Sequence, residues 1–311
     1  MTNSILDDFK NAWNKPNNAA AQLIIINVVV FLFLGGLWVF SELFGFAPVF
    51  ELIHNQFSIP PIFTDFIFRP WTIITYAFAH SLGGIFHILF NMLFLYWFSR
   101  IIVEYLGNEK VVSIYVVGAM AGALAYLFAY NVLPFYVERA GAVPGMVGAS
   151  GAVNAIMVAA ATLVPNYTFF LLFLGPVRIK YIAAFFIVIS FLGSVGSNAG
   201  GNVAHLGGAL MGYLYVKQLQ SGTDLGAWVI GFINFVKSLF VRQPNIKVSH
   251  RKKQKTPPAS RTRKSAGKKA SGAKSKSSQE EIDAILDKIS QSGYESLSKD
   301  EKQKLFDASK K

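Results

Sequence analysis

Cysteine is absent from the 311 residues, so the chain has neither a disulfide framework nor a thiolate nucleophile. Charge is scarce: Asp, Glu, Lys and Arg make up 15% of the sequence against 53% hydrophobic residues. Several apolar runs are long enough to cross a bilayer. Length alone would allow two soluble domains, but this composition excludes them for most of the chain and points to a polytopic membrane protein. The N-terminal residues 1–20 lack a basic segment followed by a short apolar one, so the first apolar run is expected to be a retained span. No aspartate falls within an expected span, which removes an aspartyl mechanism. His-Glu-x-x-His is missing, so His80 and His87 do not add up to a zinc site, and no metal or cofactor is expected. Charges along the spans and an internal repeat, the marks of a transporter, are missing too.

What charge there is sits in one place. Between Arg242 and Ser278 lie 13 of the 29 Lys+Arg and no acid, leaving 16 bases against 17 acids elsewhere, so the net +12 belongs to that segment. With its Ser, Gly and Pro, the stretch 244–278 reads as a disordered basic linker. It is expected to stay near anionic membrane lipid rather than to bind nucleic acid specifically. Beyond it, residues 279–311 change character. Ser278-x-x-Glu281 and Ser298-x-x-Glu301 match the capping box, and Ile282, Ile285, Leu286 and Ile289 recur at helical spacing. A small helical hairpin is expected, one that needs a protein partner, the membrane or its own copies for stability.

The membrane domain, residues 21–220, is read as an all-α bundle of six spans. The first runs from Gln22 to Phe44, with Gly35-Gly36 expected at a close helix contact. Residues 45–70 are apolar but broken by Pro48, Pro60, Pro61 and Pro70, and fit an interfacial loop with short helical pieces. The remaining spans are 84–103, 111–131, 149–164, 181–195 and 203–218. Gly118 and Gly122 lie one turn apart in the third, and Gly193 to Gly201 form a turn before the sixth. Lys/Arg placement (Arg100, Lys110, Arg178, Lys180, Lys217) puts both termini in the cytosol, consistent with a bacterial inner membrane. Residues 221–243 are expected to form an amphipathic helix lying on the interface.

This topology gathers polar residues at one depth. The even-numbered spans all run inward. His87 and Asn91 lie near the start of the second, Ser150 at the start of the fourth and His205 near the start of the sixth. Asn91 follows His87 by four residues and shares its helix face. Ala204, Gly208 and Gly212 on one helix and Gly151, Ala155 and Ala159 on another repeat every four residues, which allows close backbone approach in membranes. Ser150 and His205 each sit one residue from that seam. A neutral imidazole can take the serine proton, and a serine so activated attacks a carbonyl. The Ser150 N–H, His87 and Asn91 are candidate donors to the resulting oxyanion.

These residues resemble the rhomboid intramembrane serine proteases. The likeness lies in His-x-x-x-Asn (His87 to Asn91), Gly-x-Ser-Gly (Gly148 to Gly151) and Ala-His-x-x-Gly-x-x-x-Gly (Ala204-His205 through Gly208 to Gly212), and covers about residues 20–220. The resemblance implies a serine endopeptidase that cleaves transmembrane protein substrates. It implies a Ser150/His205 dyad without a carboxylate, and an oxyanion hole of His87, Asn91 and the Ser150 amide. Loop 45–70, with Arg69 and Trp71 near its end, looks like the family's first loop. Some members carry an aromatic residue four after the nucleophile. Here that position is Asn154, whose amide is expected to hold His205 instead. The alternative is a catalytically inactive rhomboid-like protein that binds membrane proteins; Ser150 and His205 are both present, which argues against it.

Overall fold

A computed structural model describes residues 5–15, 18–240, 282–289 and 297–308. The chain divides into two compact units, residues 1–245 and 246–311.

In the first unit, α1 (Ile5–Asn14) precedes the long apolar α2 (Ala19–Phe44). Three short helices follow, α3 (Ala47–His54), α4 (Phe63–Ile67) and α5 (Thr72–Thr75). Next come α6 (Ile85–Leu106), α7 (Asn108–Val132) and the single turn α8 (Pro134–Val137). The helices α9 (Ser150–Leu163), α10 (Ile179–Gly193), α11 (Ala199–Gln220) and α12 (Ala227–Phe240) complete the unit. By length and apolarity α2, α6 and α7 suffice to cross a bilayer, while α9, α10 and α12 are shorter apolar helices. This is the all-α membrane bundle expected from the sequence.

The core is α9. Every residue from Gly151 to Ala161 is buried, as befits a helix apolar all round. Its side chains are mostly small, and α7 and α11 close on it through glycine. A Cβ on Gly208 would overlap the Gly151 carbonyl and one on Gly212 the Ala155 carbonyl. Advancing four residues on α11 advances four on α9, so the two helices run parallel. A Cβ on Gly118 would fall on that of Ala155, and one on Gly122 would come 2.9 Å from the Ala204 carbonyl oxygen. The third helix therefore runs antiparallel to the other two. With lipid outside as apolar as the core inside, such close van der Waals contact is what holds the helices together.

Four features depart from the sequence reading. Gly36 faces open space and Gly35 makes an ordinary contact with Leu82, so the pair marks no close helix approach. The glycine-rich turn ends earlier than expected, because Gly200 belongs to α11 and packs where a Cβ would strike Tyr126 and Tyr130. Residues between α9 and α10 form an antiparallel hairpin, β1 (Thr168–Leu171) and β2 (Gly175–Arg178), turned at Gly175 with φ +69°. Asn154 makes a different bond from the one expected, as described below.

Loop 45–70 is tied down by an isolated bridge, Ile59 to Met146, with N–H donated both ways at 3.0 and 2.9 Å. The Arg69 Nη1 donates to the Asn55 carbonyl at 3.1 Å and Thr75 Oγ1 to that of Gln56 at 2.7 Å. At the opposite end of the bundle Asp224 receives Lys110 Nζ and, at 2.8 Å, the Tyr215 hydroxyl, while the Gly226 N–H donates to it at 3.0 Å. Burial raises the Asp224 pKa, but these three donors outweigh it and hold the carboxyl below its ordinary value. The network pins the start of α12 against α7. The apolar run of α12 is interrupted by Asn234 and Lys237, and Val229 is its buried residue; we propose that it lies on the interface.

In the second unit, residues 282–289 form α13, with Ile285 buried, and Lys299–Ala308 form α14. The second capping box forms: the Ser298 N–H donates to Glu301 Oε2 at 2.7 Å and the Glu301 N–H to Ser298 Oγ at 3.3 Å. The Ser298 amide, with Lys288, holds Glu301 at a pKa of about 2. The first capping box and the basic linker lie outside the described residues.

Two expectations follow. Gly212→Val should destabilise the bundle by on the order of 1–3 kcal/mol through overpacking, whereas Gly36→Ala should be neutral or stabilising; thermal unfolding in detergent compares them. A depressed carboxylate contributes stability above its unfolded pKa of about 4 and loses it as pH falls through the folded value. Asp224→Asn should therefore be less stable than the parent at neutral pH, with the gap closing as pH drops below about 4.

Candidate active site

Ser150 is the first residue of α9, so its N–H is one of the donors that a helix N-terminus leaves without an intrahelical acceptor. The residue before the cap makes this entry possible. Gly148 sits at φ +142°, a conformation L side chains rarely adopt, and its N–H is anchored on the Tyr76 carbonyl at 2.9 Å. A Cβ there would come within 3.3 Å of the His87 ring. Glycine at 148 thus serves both the backbone turn and the space beside the imidazole.

The α9–α11 seam carries His205 to the serine. Its Nε2 lies 2.7 Å from Ser150 Oγ, a full hydrogen bond. His87 and Asn91, on the first two turns of α6, complete the group: both line the cavity that contains Ser150 and His205. Asn91 Nδ2 donates to the His87 carbonyl at 2.8 Å. An amide nitrogen carries two hydrogens, so one donor remains. The structure therefore brings together all four residues singled out in the sequence, with Gly148, Gly151, Ala204, Gly208 and Gly212 around them as packing.

Asn154 is the correction. Its Nδ2 donates to the Ser150 carbonyl at 2.9 Å, one turn back on its own helix, and is not hydrogen-bonded to His205. The ring is met instead by Ser190 of α10, whose Oγ lies 3.2 Å from Nδ1. Sequence reading passed over Ser190. The available signal was a serine within the apolar run Ile179–Gly193, on the stripe of Ile179 and Ala183.

Two cavities meet at His87 and Asn198. The first, of about 330 Å³, contains the four residues among apolar walls from Phe86, Phe90, Phe94 and Phe186. A further apolar cavity of about 410 Å³ shares Phe94 and Phe186 and continues along α6 and α10 to Phe169 and Leu174 of the hairpin. The other, of about 640 Å³, is lined by loop residues 143–147 and 195–198 together with Tyr126, Tyr130 and Arg139. Among the described residues no group of three or more His, Asp or Glu could hold a metal ion.

Residues 68–221 match the rhomboid domain, and residues 273–311 match a family of unknown function, DUF6576. The chain is 34% identical over 164 residues to the RHOMBOID-like protein 12, mitochondrial, of Arabidopsis thaliana, covering 50% of this chain and 48% of the relative. It is 32% identical over 209 residues to the Rhomboid protein 1, mitochondrial, of Saccharomyces cerevisiae, covering 64% of this chain and 53% of the relative. The chain thus spans about half the length of these curated relatives. Both are mitochondrial proteins of eukaryotes, so they lend no support to the bacterial inner membrane expected from the sequence. Domain match, relatives and helical membrane bundle agree: this chain is an integral membrane protein and belongs to the rhomboid family.

Proposed function

We propose that this protein is an intramembrane serine endopeptidase that cleaves transmembrane protein substrates. The observation that carries the reading is the 2.7 Å contact between Ser150 Oγ and His205 Nε2 inside a cavity. In the proposed reaction the Ser150 hydroxyl gives its proton to Nε2 as Oγ attacks a peptide carbonyl. The negative oxygen is received by the Ser150 N–H, at the positive end of the α9 dipole, and by the His87 and Asn91 side chains. His205 then protonates the leaving amine, and water, entering through the cavity at loops 143–147 and 195–198, hydrolyses the acyl-enzyme. The apolar cavities along α6 and α10 suit the side chains of a substrate helix arriving from the lipid.

We further propose that both termini face the side marked by Arg100, Arg178 and Lys180, and that the C-terminal unit binds a protein partner or regulates the membrane domain. If deletion of residues 242–311 left activity, localisation and interactions unchanged, that last role would be excluded.

The assignment is tested with purified protein and a model transmembrane substrate. Ser150→Ala and His205→Ala should abolish cleavage, and equal cleavage by the parent and Ser150→Ala would be fatal to it. A fluorophosphonate probe should label the parent and leave Ser150→Ala unlabelled; labelling of neither would favour an inactive binding protein. Loss of one oxyanion donor costs about 10²- to 10³-fold in kcat. Asn91→Ala should approach that range with KM little changed, measured as initial rates over a substrate series.

A further inference from the structure

We propose that Ser190 is a positioning residue for His205, holding the ring by its Nδ1 edge and accepting the Nδ1 proton of the form that leaves Nε2 free to take the proton of Ser150. The proposal rests on the Ser150/His205 reading above.

Most of α10 presents apolar side chains outward, including Phe185, Val188, Phe191 and Leu192, each at least half exposed. Its buried residues are Ile179, Ala183 and Ser190, a single stripe in which an apolar third residue would be expected. A hydroxyl only 4% exposed at that place needs a partner. The usual solution in an apolar helix is a carbonyl one turn back. Ser41, Ser99, Thr162, Ser194 and Ser238 all take it. Ser190 makes no such bond; its Oγ lies 3.2 Å from Nδ1 of His205, on the ring edge opposite Ser150, where the ring tautomer decides which of the two donates.

The chemistry gives that bond its value. Neutral imidazole carries its proton on one nitrogen or the other, and only the Nδ1–H form presents a lone pair to Ser150. When the Ser150 O–H bond breaks, its proton moves to Nε2 while Oγ bonds to the carbonyl carbon and the carbonyl π pair moves to oxygen. The imidazolium now donates Nδ1–H, carrying positive charge, to the Ser190 lone pair. As the C–N bond breaks, the leaving nitrogen takes the Nε2 proton and the ring returns to the same tautomer. Among the described residues lining the cavity of His205 there is no carboxylate, and the side-chain bond of Asn154 runs from Nδ2 to the Ser150 carbonyl rather than to the ring. Ser190 holds the place of the third group.

The test compares fluorophosphonate labelling rates of the full chain in detergent with Ser150→Ala, Ser190→Ala, Ser190→Thr and Ser190→Val. Thr and Val have nearly the same shape and differ in the hydroxyl. Ser190→Ala and Ser190→Val should be labelled about 3- to 10-fold more slowly, the rate equivalent of one neutral hydrogen bond. Ser190→Thr should stay within about twofold of the parent, at an unfolding temperature matching that of Ser190→Val. Nitrogen NMR of the ring gives a second readout: the parent and Ser190→Thr should show the protonated-Nδ1 form of His205, and Ser190→Val a mixture. Equal rates and equal ring spectra for Thr and Val would overturn the positioning role, because packing alone would then explain any loss. A parent labelled no faster than Ser150→Ala would instead overturn the protease reading, and the proposal with it.

Discussion

Backbone-to-backbone contact between α9 and α11 is the constraint on which the remainder depends. Gly208 and Gly212 let the Gly151 and Ala155 carbonyls occupy the space a Cβ would take. Ser150 precedes Gly151 by one residue and His205 follows Ala204 by one, so the same approach that packs the helices also sets the 2.7 Å between Oγ and Nε2. A larger residue on the seam would part both at once. Stability and site geometry are therefore a single property here, with α7 closing the third side through Gly118 and Gly122.

The shortness of α9 has its own consequence. Fourteen residues span ~21 Å, well below the ~33 Å of the 22-residue α6 beside it. One end of that difference is taken up by the loops that lead to Ser150, with Gly148 and the Ile59–Met146 bridge holding them in place. The other end is taken up by the β-hairpin, whose Phe169 packs edge-on against Phe98 of α6 at 5.5 Å between ring centroids. Backbone without helical hydrogen bonds is tolerated at membrane depth only where it is buried in protein or lines a water-filled cavity. The loops line the cavity at residues 143–147 and 195–198, while the hairpin, whose two outer strand edges are unpaired among the described residues, ends at Arg178 on the side that the proposed topology gives to water. On the proposed reading, a polar reaction thus gains a place at a helix terminus without an unpaired backbone in lipid.

How far this was legible in the sequence depends on how many residues a feature engages. His205 could be placed against Ser150 because Ala204, Gly208 and Gly212 repeat with the helix period and match a second repeat. His87 and Asn91 could be joined by their spacing. Ser190 has no repeat and no motif; its meaning lies in a stripe of three residues on α10 and in the rotation of that helix toward α11. Gly35-Gly36 shows the converse error, since two glycines in an apolar span look like a contact whether or not a helix lies opposite. The hairpin was hidden for a related reason: 168–174 is nearly all apolar, without the alternation that marks a strand, and the turn residue Gly175 was the available cue.

The neutral character of the group around His205 fits its surroundings. A carboxylate beside the imidazole, as in soluble serine hydrolases, orients the ring and stabilises its cation. In an apolar wall built from phenylalanines that carboxylate would need its own donors, and removing it from water costs several kcal/mol even after relaxation. A hydroxyl asks for much less. Carried on a helix that must be apolar to lie in lipid, it costs little to bury once bonded, and its lone pair is there to accept the Nδ1 proton when the ring becomes an imidazolium. In the proposed reaction the imidazolium is stabilised more weakly as a consequence, and this is offset by an oxyanion site whose proposed donors are the α9 N-terminus, His87 and Asn91. On the proposed reading, this chain places its electrostatics on the substrate oxygen rather than on the base.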